Sequence, residues 1–577
     1  MTRTSEQPDL ALTLARLQVE YTTTPLGIDI EAPRFSWRIE APSDVRGVAQ
    51  SAYRIVVKDE GDEVVWDTGR VSDDVSLGIR YAGRPLQPTT RYTWTVTAWD
   101  HSGATASATS WFETGLMNPN PDLSAWDGAT WIGGGDDDLV LYAHYLSVFK
   151  ACYTMQLEAG STRAAFVLGA NDSRLMDRYK NIYGIQNARD AGYVSFELDI
   201  SAVDGSKDGP ARLNVYRVGY HPDDDAGVPF ETLTIPAELI HAGNAYQPHD
   251  IYLECDFGVF SIFVDGTGEE NRITTTLSGR LQYGGGLNIN PVGRGNDYIS
   301  FPMLADIGFS VPAGQNARFS NLRVTHYRPP CNTLFHEDLS DGATYGGIYA
   351  DALGSGLTIE DGAYRLAGGT KGTFVVADPS RNAMPMLRTE FSLDDKPIAR
   401  ARLYVTARGI YEMYINGRRV VGGAGAADYF NPGLTQYNVT HMYQTYDVTD
   451  MLRVGADNAM GAWLGEGWWS GNVTFSGQNW NYFGDRQSLL AKLVITYADG
   501  RSHVVATRPG DWRYYGDGPV IYGSFFQGEV YDATREAAID GWSEAGYDDG
   551  AWKPAVEVPP DETTAYFGVR RDFGGLT

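Results

Sequence analysis

The sequence predicts an all-β chain built from packed sandwiches, and three observations lead there. Apolar and polar residues alternate with a period of two in many short runs, among them Tyr53-Arg54-Ile55-Val56-Val57, Tyr92-Thr93-Trp94-Thr95-Val96, Phe260-Ser261-Ile262-Phe263-Val264 and Leu493-Val494-Ile495-Thr496-Tyr497. Turn dipeptides such as Asp265-Gly266, Asn416-Gly417 and Asp499-Gly500 sit between or beside such runs. Helical spacing is nearly absent, and only short segments such as Asp9 to Leu17 carry it. An amphipathic strand must bury its apolar face against a second sheet, so many strands without helices imply sandwiches. The 577 residues give room for roughly three to five domains of about 100–200 residues each.

The first domain spans 17–116. Leu86-x-Pro88 precedes Tyr92, and Trp94 follows two residues on. A Tyr so placed can hydrogen-bond to the chain just upstream, the tyrosine corner of Greek-key sandwiches. These residues resemble a fibronectin type III module. A stretch rich in Pro and Asn, Met117 to Pro121, reads as a linker. The second domain is expected over 126–327. Its closing strand, Ala317-Arg318-Phe319-Ser320-Asn321-Leu322-Arg323-Val324, resembles the last strand of a concanavalin-like jelly roll, with Pro329-Pro330 marking the exit. The third domain is expected over 331–558, and 559–577 is too short for a core of its own.

The net charge of −27 argues against nucleic acid, whose binding needs Lys and Arg at the phosphates. It argues equally against an anionic membrane surface. Neutral ligands fit it best. The three cysteines, Cys152, Cys255 and Cys331, are far apart and form no Cys-x-x-Cys pair, so neither a zinc site nor a disulfide framework is expected. The first residues lack the apolar stretch of a signal peptide, and no apolar run approaches the ~20 residues of a membrane span. A cytoplasmic protein is the simplest expectation.

The third domain carries the most specific pattern. It runs Tyr411-Glu412-Met413-Tyr414-Ile415-Asn416-Gly417, then Asn431-Pro432-Gly433, Tyr443-Gln444-Thr445-Tyr446-Asp447 and Gly465-Glu466-Gly467-Trp468-Trp469-Ser470-Gly471. Together these segments resemble the amino-terminal β-sandwich of bacterial α-L-rhamnosidases. The run Gly528-Glu529-Val530-Tyr531-Asp532-Ala533 is similar to one found late in that sandwich. The resemblance implies a parent enzyme that removes terminal α-L-rhamnose with inversion, one carboxyl protonating the leaving oxygen and another activating water. In that family the catalytic acids lie in a helical barrel, which needs roughly 200–300 residues. The chain is therefore expected to be the non-catalytic portion, inactive alone, with no catalytic residue carried over. A face meant for an absent barrel would invite self-association or a separate catalytic chain. The rival readings are a stand-alone carbohydrate-binding protein completing an enzyme in trans, a glycosidase with an unrecognised site, and a structural protein with no sugar ligand.

Polar clusters suggest where a sugar could sit. Gly169-Ala170-Asn171-Asp172-Ser173-Arg174 is followed by Asn181, and a second cluster holds Asn288, Asn290, Asn296 and Asp297. Asn and Asp offer oxygens to sugar hydroxyls and to hard cations such as calcium. The resemblance extends to a calcium-dependent, rhamnose-binding module of some family members. On that basis Asn171, Asp172 and Asn290 are the expected calcium ligands. The expected carbohydrate contacts are Asn171, Asp172, Arg174 and Asn181, with Trp468 and Trp469 as stacking platforms. The competing explanation is that the Asn and Asp residues cap their own turns and that the tryptophans support the fold. The carboxylate pairs Glu529/Asp532 and Glu466/Asp485 are poor catalytic candidates, the first because strand positions three apart face opposite sides.

Overall fold

The computed structural model describes residues 12–117, 124–204, 207–275, 286–293, 302–327, 331–337, 339, 347–422, 429–437, 440–474 and 480–559. The tail expected over 559–577, apart from its first residue, and the pair Asn296 and Asp297 lie outside them. The described chain forms antiparallel sheets in three sandwiches. No described helix is long and apolar enough to cross a membrane.

In the first sandwich, strands Val64–Asp67, Gln50–Lys58, Arg91–Asp100 and Thr105–Glu113 form one sheet, and Thr13–Val19, Arg34–Glu40 and Ile79–Arg80 form the other. Alternation does the sorting: Tyr92, Trp94, Val96 and Ala98 are buried, while the residues between them face outward. Trp94 meets Phe35 edge-on at 4.9 Å between ring centroids. The Tyr92 hydroxyl accepts from the Gln87 backbone N–H at 2.8 Å, the expected corner. Helical spacing misleads at one point. Part of Asp9 to Leu17 lies in strand Thr13–Val19, which pairs with Arg34–Glu40, so tertiary pairing overrides local spacing there.

The second sandwich stacks a six-stranded sheet, centred on Arg163–Ala170 and Tyr193–Asp199, against an eight-stranded one centred on Val148–Leu157 and Asn316–Thr325. Phe166, Phe196, Phe260, Phe309 and Phe319 fill its core. Its limits differ from those expected. Thr333–Glu337 and Ala363–Ala367 both pair with Asn316–Thr325, and Thr373–Ala377 pairs with Asp306–Val311. The strands Thr333–Glu337, Ala363–Ala367 and Thr373–Ala377 therefore complete the second sandwich instead of opening the third. Conversely, Ile132–Gly133 pairs with Ser488–Tyr497 and Val556–Glu557 of the third sandwich. Trp126 and Trp131 pack there too, beside Tyr404 and Tyr443. Strand alternation reports a buried face but not which sheet buries it, and this is why both joins move.

The third sandwich pairs a sheet built on Ile410–Ile415, Asp457–Gly465 and Met386–Ser392 with one built on Ile398–Arg408 and Ser488–Tyr497. Its core holds Leu403, Val405, Met413, Ile415, Leu493 and Trp512.

Candidate functional site

The first candidate lies at a corner of the second sandwich, where strand Arg163–Ala170 ends. Asn171 takes a left-handed φ of 57°, a conformation Asn tolerates better than most residues. The chain then enters a single helical turn, Ser173–Met176, capped by Asp172. The Asp172 carboxylate accepts from the Arg174 backbone N–H at 2.9 Å. It also binds the Arg174 guanidinium, with Nη2 to Oδ2 at 2.6 Å. Asn171 donates through Nδ2 to Asp190 at 2.9 Å and to Asp306 at 2.8 Å, and its Oδ1 accepts from the Asp190 N–H at 2.7 Å. Asn181 Oδ1 accepts from the Tyr183 N–H at 3.1 Å.

The fold brings the second polar cluster to the same corner. The Tyr183 hydroxyl donates to the Pro291 carbonyl at 2.9 Å, and Arg217 donates to the Ile289 carbonyl at 3.0 Å. Asn290 Oδ1 accepts from the Val292 N–H at 3.0 Å, and its Nδ2 donates to the Phe257 carbonyl. Asn171, Asp172, Asn181 and Asn290 are all buried; Asp172, Asn181 and Asn290 cap their own turns as anticipated, whereas Asn171 bonds the distant Asp190 and Asp306. The set Asn171, Asp172 and Asn290 does not fit a calcium shell as it stands. Arg174 neutralises the one carboxylate, and both amide oxygens already accept from backbone N–H groups. The more open groups at the corner are the half-buried Arg174 guanidinium, already paired with Asp172, and Tyr183, which is 40% exposed.

Cation-binding geometry occurs beside Asn171 instead. Among the described residues, His144, Asp306 and Asp378 place one ligand atom each within 4.8 Å of one another. His144 Nε2 lies 3.2 Å from Asp306 and 3.5 Å from Asp378. Burial alone would lower the imidazole's pKa, but the two carboxylates overcome it and raise it to about 10. Sequence spacing gave no signal for this cluster, because its members come from three distant strands or loops.

The second candidate lies on the third sandwich. Trp469 is buried against Tyr437 and Phe483, with the Arg408 guanidinium 5.4 Å from its ring centre. A ring enclosed on this scale cannot stack on a sugar, and the supporting role is the one it has. Trp468 is only half-buried, and its ring lies 4.4 Å from Phe525 and 6.1 Å from Phe430. A groove of about 500 Å³ opens beside Phe525, lined also by Tyr411, Tyr414, Tyr429, Trp463 and Tyr531.

The members of the Glu529/Asp532 pair have separate surroundings. Asp532 caps the turn Ala533–Ile539 through Thr534, whereas Glu529 lines the groove. Glu466 is buried where the second and third sandwiches meet, 3.3 Å from the Tyr522 hydroxyl, and burial pushes its carboxyl up to about 8. Asp485 is buried too and is held by Arg486.

Comparison with known proteins fits this architecture. Residues 396–567 match the family model described as the α-L-rhamnosidase N-terminal domain. Residues 14–118 match the Rha78A-like, N-terminal immunoglobulin domain. An α-L-rhamnosidase of Streptomyces avermitilis is 29% identical over 563 residues, covering 94% of this chain and 44% of that protein. The chain is similar to α-L-rhamnosidases along nearly its whole length. A second family member, from an Alteromonas species, is 37% identical over 191 residues, 33% of this chain and 20% of its own length. The crystal structure of the Streptomyces avermitilis α-L-rhamnosidase complexed with L-rhamnose superposes with a TM-score of 0.52 at 27% identity, covering 96% of this chain and 45% of that one. The chain thus spans under half the length of these family members.

Proposed function

We propose that this chain is the carbohydrate-handling portion of an α-L-rhamnosidase-type glycoside hydrolase acting on terminal α-L-rhamnosides, and that its second sandwich binds rhamnose. The observation that carries the reading is the family likeness along 94% of the chain, which takes in the second sandwich as well as the two segments matched by family models. The ligand would meet the corner formed by Arg174 and Tyr183. Arg174 supplies guanidinium N–H donors for vicinal hydroxyls, and Tyr183 supplies a ring face for the apolar side of a deoxy sugar. Calcium binding at Asp172 would require Arg174 to leave the carboxylate.

Calorimetric titration of L-rhamnose into the chain, with and without calcium, tests this. Saturable heat that weakens about tenfold or more in Arg174→Ala supports it. Absence of heat under both conditions contradicts it. An aryl α-L-rhamnoside incubated with the chain reports separately whether any turnover resides here.

A further inference from the structure

The aromatic groove on the third sandwich is independent of the corner that holds Arg174. Its walls include rings that the fold leaves in water: Tyr429 is 66% exposed, Tyr531 47% and Phe525 37%. Phe430, 55% exposed, extends the same surface, with its ring 5.4 Å from Phe525 and 6.4 Å from Tyr429. Clustered exposed rings of this kind lose stabilisation to water and mark a binding surface more often than a bare one. Gly465, Gly467 and Gly523 also line the groove, so backbone groups are reachable where side chains would otherwise stand.

The polar groups select the ligand's charge. Glu412 and Glu529 face the groove, and no Lys, Arg or His is among the described residues lining it. Glu412 is held by the Tyr414 hydroxyl at 2.7 Å and by Arg419 at 2.7 Å, and the Arg419 guanidinium lies 5.9 Å from the centre of the Tyr429 ring. With Glu412 paired to Arg419, the Glu529 carboxylate leaves the groove net negative, which disfavours phosphate and acidic sugars. Rings with hydrogen-bond acceptors between them suit a neutral polyol that has one apolar face.

We propose that this groove binds a neutral glycoside, stacked by its apolar face between Tyr429 and Phe525, with hydroxyls donating to Glu412 and Glu529. The ligand class rests on the function proposed above; the site does not, since it shares no residue with the Arg174 corner.

The test uses the full chain carrying Arg174→Ala, with p-nitrophenyl α-L-rhamnoside as the probe and saturation-transfer NMR as the readout. Saturable binding is expected to persist in this background. It should weaken about tenfold or more when Phe525→Ala or Tyr429→Ala is added. Both side chains are exposed, so the fold should survive, and circular dichroism checks that it does. Affinity unchanged in both added variants would overturn the proposal. So would the absence of saturable binding, or tetramethylammonium outcompeting the glycoside, which would make this a cation site. If L-rhamnose gives no heat on the unmodified chain while the groove still binds the aryl glycoside, the Arg174 reading fails and this one stands.

Discussion

Arg402 and Glu113 join the first and third sandwiches through a buried two-point ion pair, with Nε to Oε2 at 2.7 Å and Nη2 to Oε1 at 2.8 Å. Arg91 reaches the same carboxylate at 2.6 Å. Nearby, the Tyr443 hydroxyl donates to Asp29 at 2.6 Å and accepts from the Leu116 N–H at 2.8 Å. The first module is thus held against the third and does not hang on a bare linker.

Removing one partner of a buried pair strands the other charge. Glu113→Ala is therefore expected to cost about 3–5 kcal/mol in urea unfolding. Burial alone would raise the Glu113 carboxyl's pKa, but Arg402 and Arg91 hold it below the ordinary value. A lowered carboxylate pKa contributes stability above the unfolded value near 4.5, and that stability fades as pH falls through the folded value. Wild type should lose stability below about pH 4.5 more steeply than Glu113→Gln.

Gly115 sits where a Cβ would run into the Tyr443 hydroxyl and lie 2.5 Å from the Asp29 carboxylate. Gly115→Ala is expected to destabilise by about 1–3 kcal/mol through overpacking, read by thermal melting. Combining it with Tyr443→Phe should give a non-additive loss, because both act on one contact.

Glu466 has the opposite pH signature. Burial raises its carboxyl to about 8, so the folded chain keeps a proton that the unfolded chain gives up near 4.5. Its contribution to stability therefore declines as pH rises from about 4.5 to about 8, then levels off. Glu466→Gln should match wild type near pH 5 and exceed it by a few kcal/mol near pH 9. Chemical denaturation at the two pH values checks this, and an equal difference at both would contradict it.

The paired tryptophans should separate cleanly. Trp469→Ala empties a buried ring site and is expected to cost about 3–5 kcal/mol. Trp468→Ala removes a half-buried ring and should cost about 1 kcal/mol or less. Denaturant midpoints with an unchanged m-value decide the comparison.

Local residues announced much of this fold. Alternation placed Tyr92, Trp94 and Val96 on an inner face, and Leu86-x-Pro88 before Tyr92 announced the corner hydrogen bond. The segment from Tyr411 to Gly471 carried the resemblance to α-L-rhamnosidases, and it lies within the matched residues 396–567. Sheet membership was hidden, because a two-residue strand such as Ile132–Gly133 carries no mark of its distant partners Leu489 and Glu557. The same distance hid His144, Asp306 and Asp378, and the meeting of Glu466 with Tyr522. At Asn171 and Asp172 the sequence showed the right residue types but could not show that Arg174 and Asp190 already engage them.

A crystal of the chain soaked with L-rhamnose tests the central claim most directly. The expected result is ordered sugar against Arg174 and Tyr183, absent from Arg174→Ala crystals soaked alike. A chain with that corner empty at saturating rhamnose, or with the sugar ordered only elsewhere, would contradict it.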